Sequence, residues 1–447
     1  MKNNILSKVS LALTIFLVLA LTDNSWAIPS FARQTGMSCN TCHTIFPELT
    51  AFGRQFKLNG YTMVGIPTVQ AVAPADSDNT ILNLVKTSPF SAMLQASYTY
   101  KSKEQPGTQN DNFSFPQQLS LFVAGSLTPK IGAFIQMTYS DQDGKFSLDN
   151  TDIRYADQTE LAEQPFTYGV TLNNNPSVQD LWNSIPAWRQ PYAASSTSPT
   201  PSAATLIEGG LAQSVAGIGI YSLWNNLLYT EISLYKSAQQ GSPNPPDSTS
   251  AGVLKSLAPY WRVALQKQFD DFYLELGTFG ISATMYPKGI AGLTDQYSDL
   301  GFDVNIEKAV GDNMFTAHGS YIHESRTLDA SVANGNAFNS SGKLNSFQVV
   351  GNYYLHSQIG FSLGYFDLSG GGDAILYAPA GVTGSLNGLP DSNGFIAEFN
   401  YLPWLNTKLT LQYVAYNKFN GDSTNYDGEG RNASDNNTLY VLCWVAF

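Results

Sequence analysis

One stretch decides the fold: Phe395-Ile396-Ala397-Glu398-Phe399-Asn400-Tyr401. Its odd-numbered residues are apolar, whereas Glu398 and Asn400 fall on the other face. Because successive side chains of a β-strand point to opposite faces, an alternation with a period of two indicates a strand that is apolar on one side and polar on the other.

The same alternation recurs along the second part of the chain, for example at 228–234, 302–307 and 408–415. An even number of short strands, each with one polar face, is typical of a bacterial transmembrane barrel whose polar face lines the lumen. The sequence therefore predicts an all-β, antiparallel transmembrane barrel of about sixteen strands, near 90–100, 115–125, 130–140, 146–156, 164–172, 213–223, 227–236, 258–268, 271–282, 297–309, 313–323, 343–354, 357–367, 393–402, 407–417 and 437–447.

The connections between the predicted strands alternate in length. Most even-numbered connections are tight, as at Asn225-Asn226 and Gly311-Asp312, although 156–163 fits this rule less well. The odd-numbered ones include the long loops 173–212, 237–257, 283–296, 324–342, 368–392 and 418–436, although the short loop at 141–145 also fits less well. Outer-membrane barrels have short periplasmic turns and longer extracellular loops, so this alternation supports the barrel prediction.

The composition agrees with a barrel. Charged residues make up 13% of the 447 residues, aromatic residues another 13%, and the mean hydropathy is −0.13. The net charge of −12 argues against a nucleic-acid partner. We expect the outer-membrane lipid to be the partner of the apolar face.

Residues 1–27 have the pattern of a secretory signal peptide. Lys2 and Lys8 precede an apolar run, and Ser25-Trp26-Ala27 is a small-x-small cleavage site. The alternative, a membrane anchor, is disfavoured because the apolar run is shorter than the ~20 residues that a spanning helix needs.

A second motif, Cys39-Asn40-Thr41-Cys42-His43, follows the predicted cleavage site. C-x-x-C-H is the attachment motif of a c-type haem, in which two thiols bind the vinyl groups and the histidine binds the iron. A zinc site would need more ligands, since Cys443 is the only other cysteine of the sequence. A thioredoxin-like dithiol would be expected within a βαβ pattern, and no such pattern surrounds this motif. We therefore predict one covalent haem c, held by Cys39, Cys42 and His43.

The predicted domains are a monohaem domain at 28–75, a plug of the barrel or an occupant of its mouth, a linker at 76–87, and the barrel at 88–447. An amphipathic helix is predicted between Pro47 and Gly60. Met63 is the predicted second axial ligand, with Met37, His318 and a five-coordinate iron as open alternatives.

Other predictions concern the lumen. Five carboxylates are predicted to point inward, where they form a cation path or, as the favoured reading, a solvated wall: Glu231, Glu275, Asp303, Glu307 and Glu398. The longest loop carries Trp182 and Trp188, and its predicted role is to fold inward and narrow the pore or cover the haem, with an extracellular cap as the alternative.

The N-terminal segments 29–39, 42–54 and 56–62, together with 168–192, resemble the fused cytochrome–porins of bacterial outer membranes. The best known members of that family are iron oxidases. The resemblance implies outer-membrane electron transfer, with extracellular Fe(II) or another compound as donor and a periplasmic cytochrome as acceptor. It leaves open whether the chain acts as an oxidoreductase, as a conduit for another donor or acceptor, or as a solute porin with a haem plug.

Overall fold

The computed structural model describes residues 29–65, 88–140 and 144–447. The predicted signal peptide at 1–27 and the predicted linker at 76–87 lie outside the described residues. Within that part of the chain, no helix is long and apolar enough to cross a membrane. The α-helices are α1 (Ser30–Thr35), α2 (Cys39–Cys42), α3 (Ala51–Leu58) and α4 (Asp329–Ala333).

Seventeen strands follow the N-terminal helices in the described chain. Their bounds are β1 (Phe90–Lys101), β2 (Asp111–Thr128), β3 (Ile131–Ser140), β4 (Lys145–Leu161), β5 (Gln164–Asn173), β6 (Val215–Trp224), β7 (Leu228–Ser237), β8 (Val253–Leu254), β9 (Ala258–Gln268), β10 (Phe272–Tyr286), β11 (Asp295–Val310), β12 (Asn313–Thr327), β13 (Ser341–Leu355), β14 (Ile359–Gly370), β15 (Ser392–Trp404), β16 (Thr407–Lys418) and β17 (Thr438–Ala446).

Sixteen of these strands form a closed antiparallel ring. Each pairs with the next along the chain, β7 pairs directly with β9, and β17 pairs with β1 from Met93↔Ala446 to Lys101↔Thr438. The two-residue strand β8 adds to β10 beyond the end of β9. The predicted barrel of about sixteen strands is confirmed, and its closure removes the free edges that an open sheet would expose.

The side chains are distributed opposite to those of a water-soluble protein. Asn305 and Thr171 inside the ring are fully buried, whereas Ile220 and Phe302 on its outer face are 61% and 52% exposed. An apolar outer surface is the arrangement that a lipid environment favours. The closed ring also pairs the backbone polar groups of neighbouring strands, which lipid cannot do.

One end of the barrel carries tight turns. Two consecutive residues with positive φ form the turns at Ala162-Glu163, Asn225-Asn226 and His356-Ser357. Two-residue turns of this kind match the twist of the paired strands. The connection predicted at 156–163 is thus a two-residue turn, because β4 continues to Leu161.

A charge on the outer face tests the membrane-spanning assignment. Ile232 pairs with Ile220 at mid-strand and is 57% exposed. We expect Ile232→Arg to lower the free energy of unfolding by about 2–4 kcal/mol, since an arginine near the bilayer midplane costs that much. The measurement is urea unfolding in lipid vesicles. Ser256→Arg, at an exposed position between β8 and β9, is the control, and equal stability of the two variants would contradict the assignment.

Candidate functional site

The N-terminal segment lies inside the barrel at the end that carries the short turns. The Gln34 side chain of α1 donates to the carbonyl of Ala124 at 2.8 Å and accepts from the backbone N–H of Ser126 at 3.1 Å. After α3, the Tyr61 hydroxyl donates to Asp152 of β4 at 2.7 Å. These contacts fix the helices against the inner wall of β2 and β4.

Helix α3 begins and ends as its sequence predicts. The Thr50 side chain caps its first turn by accepting from the Gly53 N–H at 3.1 Å, and Gly60 follows its end with a φ of 68°. The packing against α2 requires a glycine, because a Cβ on Gly53 would lie 2.2 Å from the Cys42 carbonyl oxygen. The first turn of α3 therefore packs directly against the backbone of Cys42.

Two basic side chains attach α3 to the rest of the molecule. Arg54 forms a buried ion pair with Glu307 of β11. Lys57 donates to the carbonyls of Val178 and Asp180 at 2.8 and 2.7 Å, and burial lowers its pKa to about 7. The helix is therefore bound on one side to the barrel wall and on the other to the long connection after β5.

A cavity of about 500 Å³ opens beside these helices. This volume lies within the range of small-molecule and cofactor sites. Cys39, Cys42 and His43 line it together with aromatic and apolar side chains from the helices, the barrel and the long connection, including Phe31, Phe46, Phe56, Phe122, Phe134, Trp188, Tyr192 and Trp444. The three residues of the motif thus meet at a single apolar cavity.

The motif supplies the donor groups that a covalently attached haem needs, namely two thiols and one imidazole. Cys39 and Cys42 are free thiols, and burial raises the pKa of both, that of Cys42 to about 11. Burial lowers the pKa of His43, which keeps the imidazole in the neutral form that binds metals. The His43 Nδ1 atom is buried without a hydrogen-bond partner. These residues fit a c-type haem.

The candidates for the second axial ligand occupy different places. Met37 lines the cavity, whereas Met63 is half-buried and is not among the described residues that line it. His318 lies on β12 with its Nε2 atom 3.4 Å from the Glu48 carboxylate. Ligation by Met63 therefore stays a prediction.

The long connection after β5 folds into the lumen. Trp182 is 1% exposed, and its Nε1 atom donates to the Tyr273 hydroxyl at 2.6 Å. Trp188 lines the cavity, and its Nε1 atom donates to the Val178 carbonyl at 2.7 Å. The prediction that this connection folds inward is therefore confirmed, and the alternative of an extracellular cap is not. The connection both fills the lumen and covers the cavity.

A buried cluster of charges holds this connection in place. Arg262 of β9 lies 3.0 Å from Asp180, 3.2 Å from Glu275 and 2.6 Å from Asp303, and all four side chains are buried. The Ser184 hydroxyl donates to Asp303 at 2.5 Å. One arginine of the wall thus joins the loop to two strands.

The five carboxylates predicted to face inward do so, but neither a cation path nor simple solvation describes them. Glu398 accepts from Gln190 at 2.9 Å and Gln412 at 2.7 Å, and Glu231 accepts from Gln179 and Tyr229. The remaining three bind arginine side chains. In the described chain, no group of three or more His, Cys, Asp or Glu side chains could hold a metal ion.

Two functional neighbours of the motif were not predicted. Glu48 is 2% exposed inside the barrel, and Lys408 of β16 is 3% exposed, with its Nζ donating to the Phe46 carbonyl at 2.9 Å. The ammonium of Lys408 also lies 4.2 Å from the ring centroid of Trp444. The sequence signal was weak, because each is a single charged residue without a motif around it and its partners are distant in the chain.

Comparison with known proteins found no matching family model and no matching curated protein. Among solved structures, the loop-deleted OmpT of Vibrio cholerae is 8% identical, with a TM-score of 0.44 over 80% of this chain and 98% of that one. The DcaP channel of Acinetobacter baumannii is 12% identical (TM-score 0.44, 80% and 96%). The anion-selective porin of Comamonas acidovorans is also 12% identical (TM-score 0.45, 80% and 98%). All three are outer-membrane barrels.

Removing the central arginine tests the cluster. We expect Arg262→Met to lower the free energy of unfolding by about 3–5 kcal/mol, because three buried carboxylates lose their common cation. Lys103→Met is the matched control. Its ion pair with Asp435 is half-exposed, and its loss costs about 1 kcal/mol or less. Chemical unfolding in detergent measures both, and a loss for Arg262→Met as small as that of the control would refute the role of the cluster.

Proposed function

We propose that this chain is an outer-membrane barrel that carries one covalent haem c in its mouth and transfers electrons across the membrane. The observation that carries the proposal is the cavity in which Cys39, Cys42 and His43 meet, inside a barrel filled by its own chain. A haem held at this cavity would be a fixed redox centre, and the segments that fill the lumen support a role other than open solute diffusion.

The side chains have distinct roles in this proposal. Cys39 and Cys42 would form the two thioether bonds, and His43 would be an axial ligand. A haem bound there would supply a one-electron redox centre. The aromatic side chains of the helices and Trp188 of the long connection would contact the haem as apolar walls of the cavity. Met63 remains the proposed second ligand, although its place outside the cavity lining requires movement of the segment after α3.

The direction of electron transfer is part of the proposal. The helices lie at the end with short turns, which is the periplasmic end in outer-membrane barrels. A periplasmic cytochrome is therefore the proposed acceptor, and the donor approaches from the end with the long loops. We propose extracellular Fe(II) as donor: each Fe(II) becomes Fe(III), and the acceptor gains the single electron. Another extracellular donor or acceptor would use the same layout.

A second candidate function is that of a solute porin in which the helical segment acts as a plug. The porin-type barrel with its polar inner wall favours it. Against it stand the buried contacts that fix both the helices and the long connection inside the lumen.

Haem attachment and reduction test the first proposal. We expect the purified protein to retain a haem spectrum after denaturation, and the double variant Cys39→Ser, Cys42→Ser to lose it, because no thioether can then form. The variant Cys443→Ser is the control, since Cys443 lies on β17 away from the cavity. Stopped-flow spectroscopy then follows reduction by Fe(II). Reduction by dithionite but not by Fe(II) would exclude iron as the donor.

Conductance in planar bilayers separates the two functions. We expect the intact protein to pass little current, since the helices and the long connection occupy the lumen. A variant in which a short Gly-Ser linker replaces residues 176–210 should conduct more, because that segment spans the pore. A stable, large conductance of the intact protein would favour the solute porin.

A further inference from the structure

The loop between α2 and α3 carries His43 and is folded back tightly on itself. The Thr44 N–H donates to the Glu48 carbonyl at 3.1 Å, and the Glu48 N–H donates to the Ile45 carbonyl at 2.7 Å. His43 and Leu49 form an antiparallel bridge. His43 and Glu48 therefore belong to the same short, hydrogen-bonded loop.

The Glu48 side chain leaves this loop and enters a pocket of the barrel wall. Its carboxylate lies 3.4 Å from the Nε2 atom of His318 on β12, and it accepts from the hydroxyls of Tyr354 and Tyr192, the latter at 3.3 Å. Glu48 and His318 are 2% and 4% exposed. The two groups thus form a buried ion pair between the haem loop and the wall.

The surroundings favour the charged form of Glu48. Burial acts to raise its pKa, but the charge of His318 and the hydroxyl donors outweigh burial, so that its pKa lies below the usual value. A charge held in a dry environment acts over a longer distance than an exposed one, since water does not screen it.

We infer that the Glu48–His318 ion pair of loop and barrel wall positions His43 and sets the reduction potential of the redox centre. This inference rests on the proposed function, because it needs a haem on His43. Charge near an iron centre is one of the ways in which a protein adjusts its potential. The negative carboxylate would stabilise the oxidised form of a haem held by His43, and the positive imidazolium would oppose that effect.

Redox titration at one fixed pH tests the inference. Glu48→Gln removes the carboxylate and should raise the midpoint potential, whereas His318→Gln removes the imidazolium and should lower it. The double variant should return towards the parent value, and Glu48→Asp should shift it less than Glu48→Gln. Asp157→Asn, at a partly exposed pair with Lys130, is the control that should not shift it.

The outcomes separate the two proposals. Shifts of the two single variants in the same direction, or no shift in either, would overturn the inference while the haem spectrum keeps the proposed function intact. A parent protein without a haem spectrum would overturn both. If Glu48→Gln does not fold into a heat-modifiable barrel, the direction of the His318→Gln shift decides alone.

Discussion

The pairing of β1 with β17 closes the ring, and the rest of the structure follows from that closure. A closed sheet has an inside and an outside, and alternation along each strand sends every second side chain to each. Because the outside is largely apolar, most polar strand side chains, such as Thr171 and Asn305, point inward. The inside therefore contains more hydrogen-bonding groups than the strands alone can pair, and these groups need partners.

The helices and the long connection after β5 supply those partners. Asp152 of the wall accepts a hydrogen bond from the Tyr61 hydroxyl, and Glu398 accepts one from the Gln190 side chain of the connection. Arg262 would be an isolated buried cation without Asp180 of the connection and its two strand carboxylates. An unpaired buried charge is costly, so the inserted segments stabilise the wall as much as the wall holds them. The inserted segments and the barrel wall thus share one network of buried polar contacts.

The sequence predicted the local features well and the distant contacts poorly. Strands such as β7 and β15 were predictable because period-two alternation is a local pattern, and their ends lay within a few residues of the structure. The end of β4 was missed, since Ala162-Glu163 lacks the Gly or Asn that marks a turn. Cys39, Cys42 and His43 stood out by spacing alone. Nothing local connects Glu48 to Tyr354, which lies 306 positions away.

The N-terminal helices depend on the barrel for part of their packing. Phe56 packs against Phe31 and Tyr61 of the same segment, whereas Leu58 belongs to a cluster formed with the strands and the long connection. Leu58 packs with Trp182, Tyr221 and Tyr273, and the Tyr221 hydroxyl donates to its carbonyl at 2.8 Å. The barrel lumen thus completes the packing of the candidate haem segment, and the cavity beside His43 lies where the segment, the wall and the long connection meet.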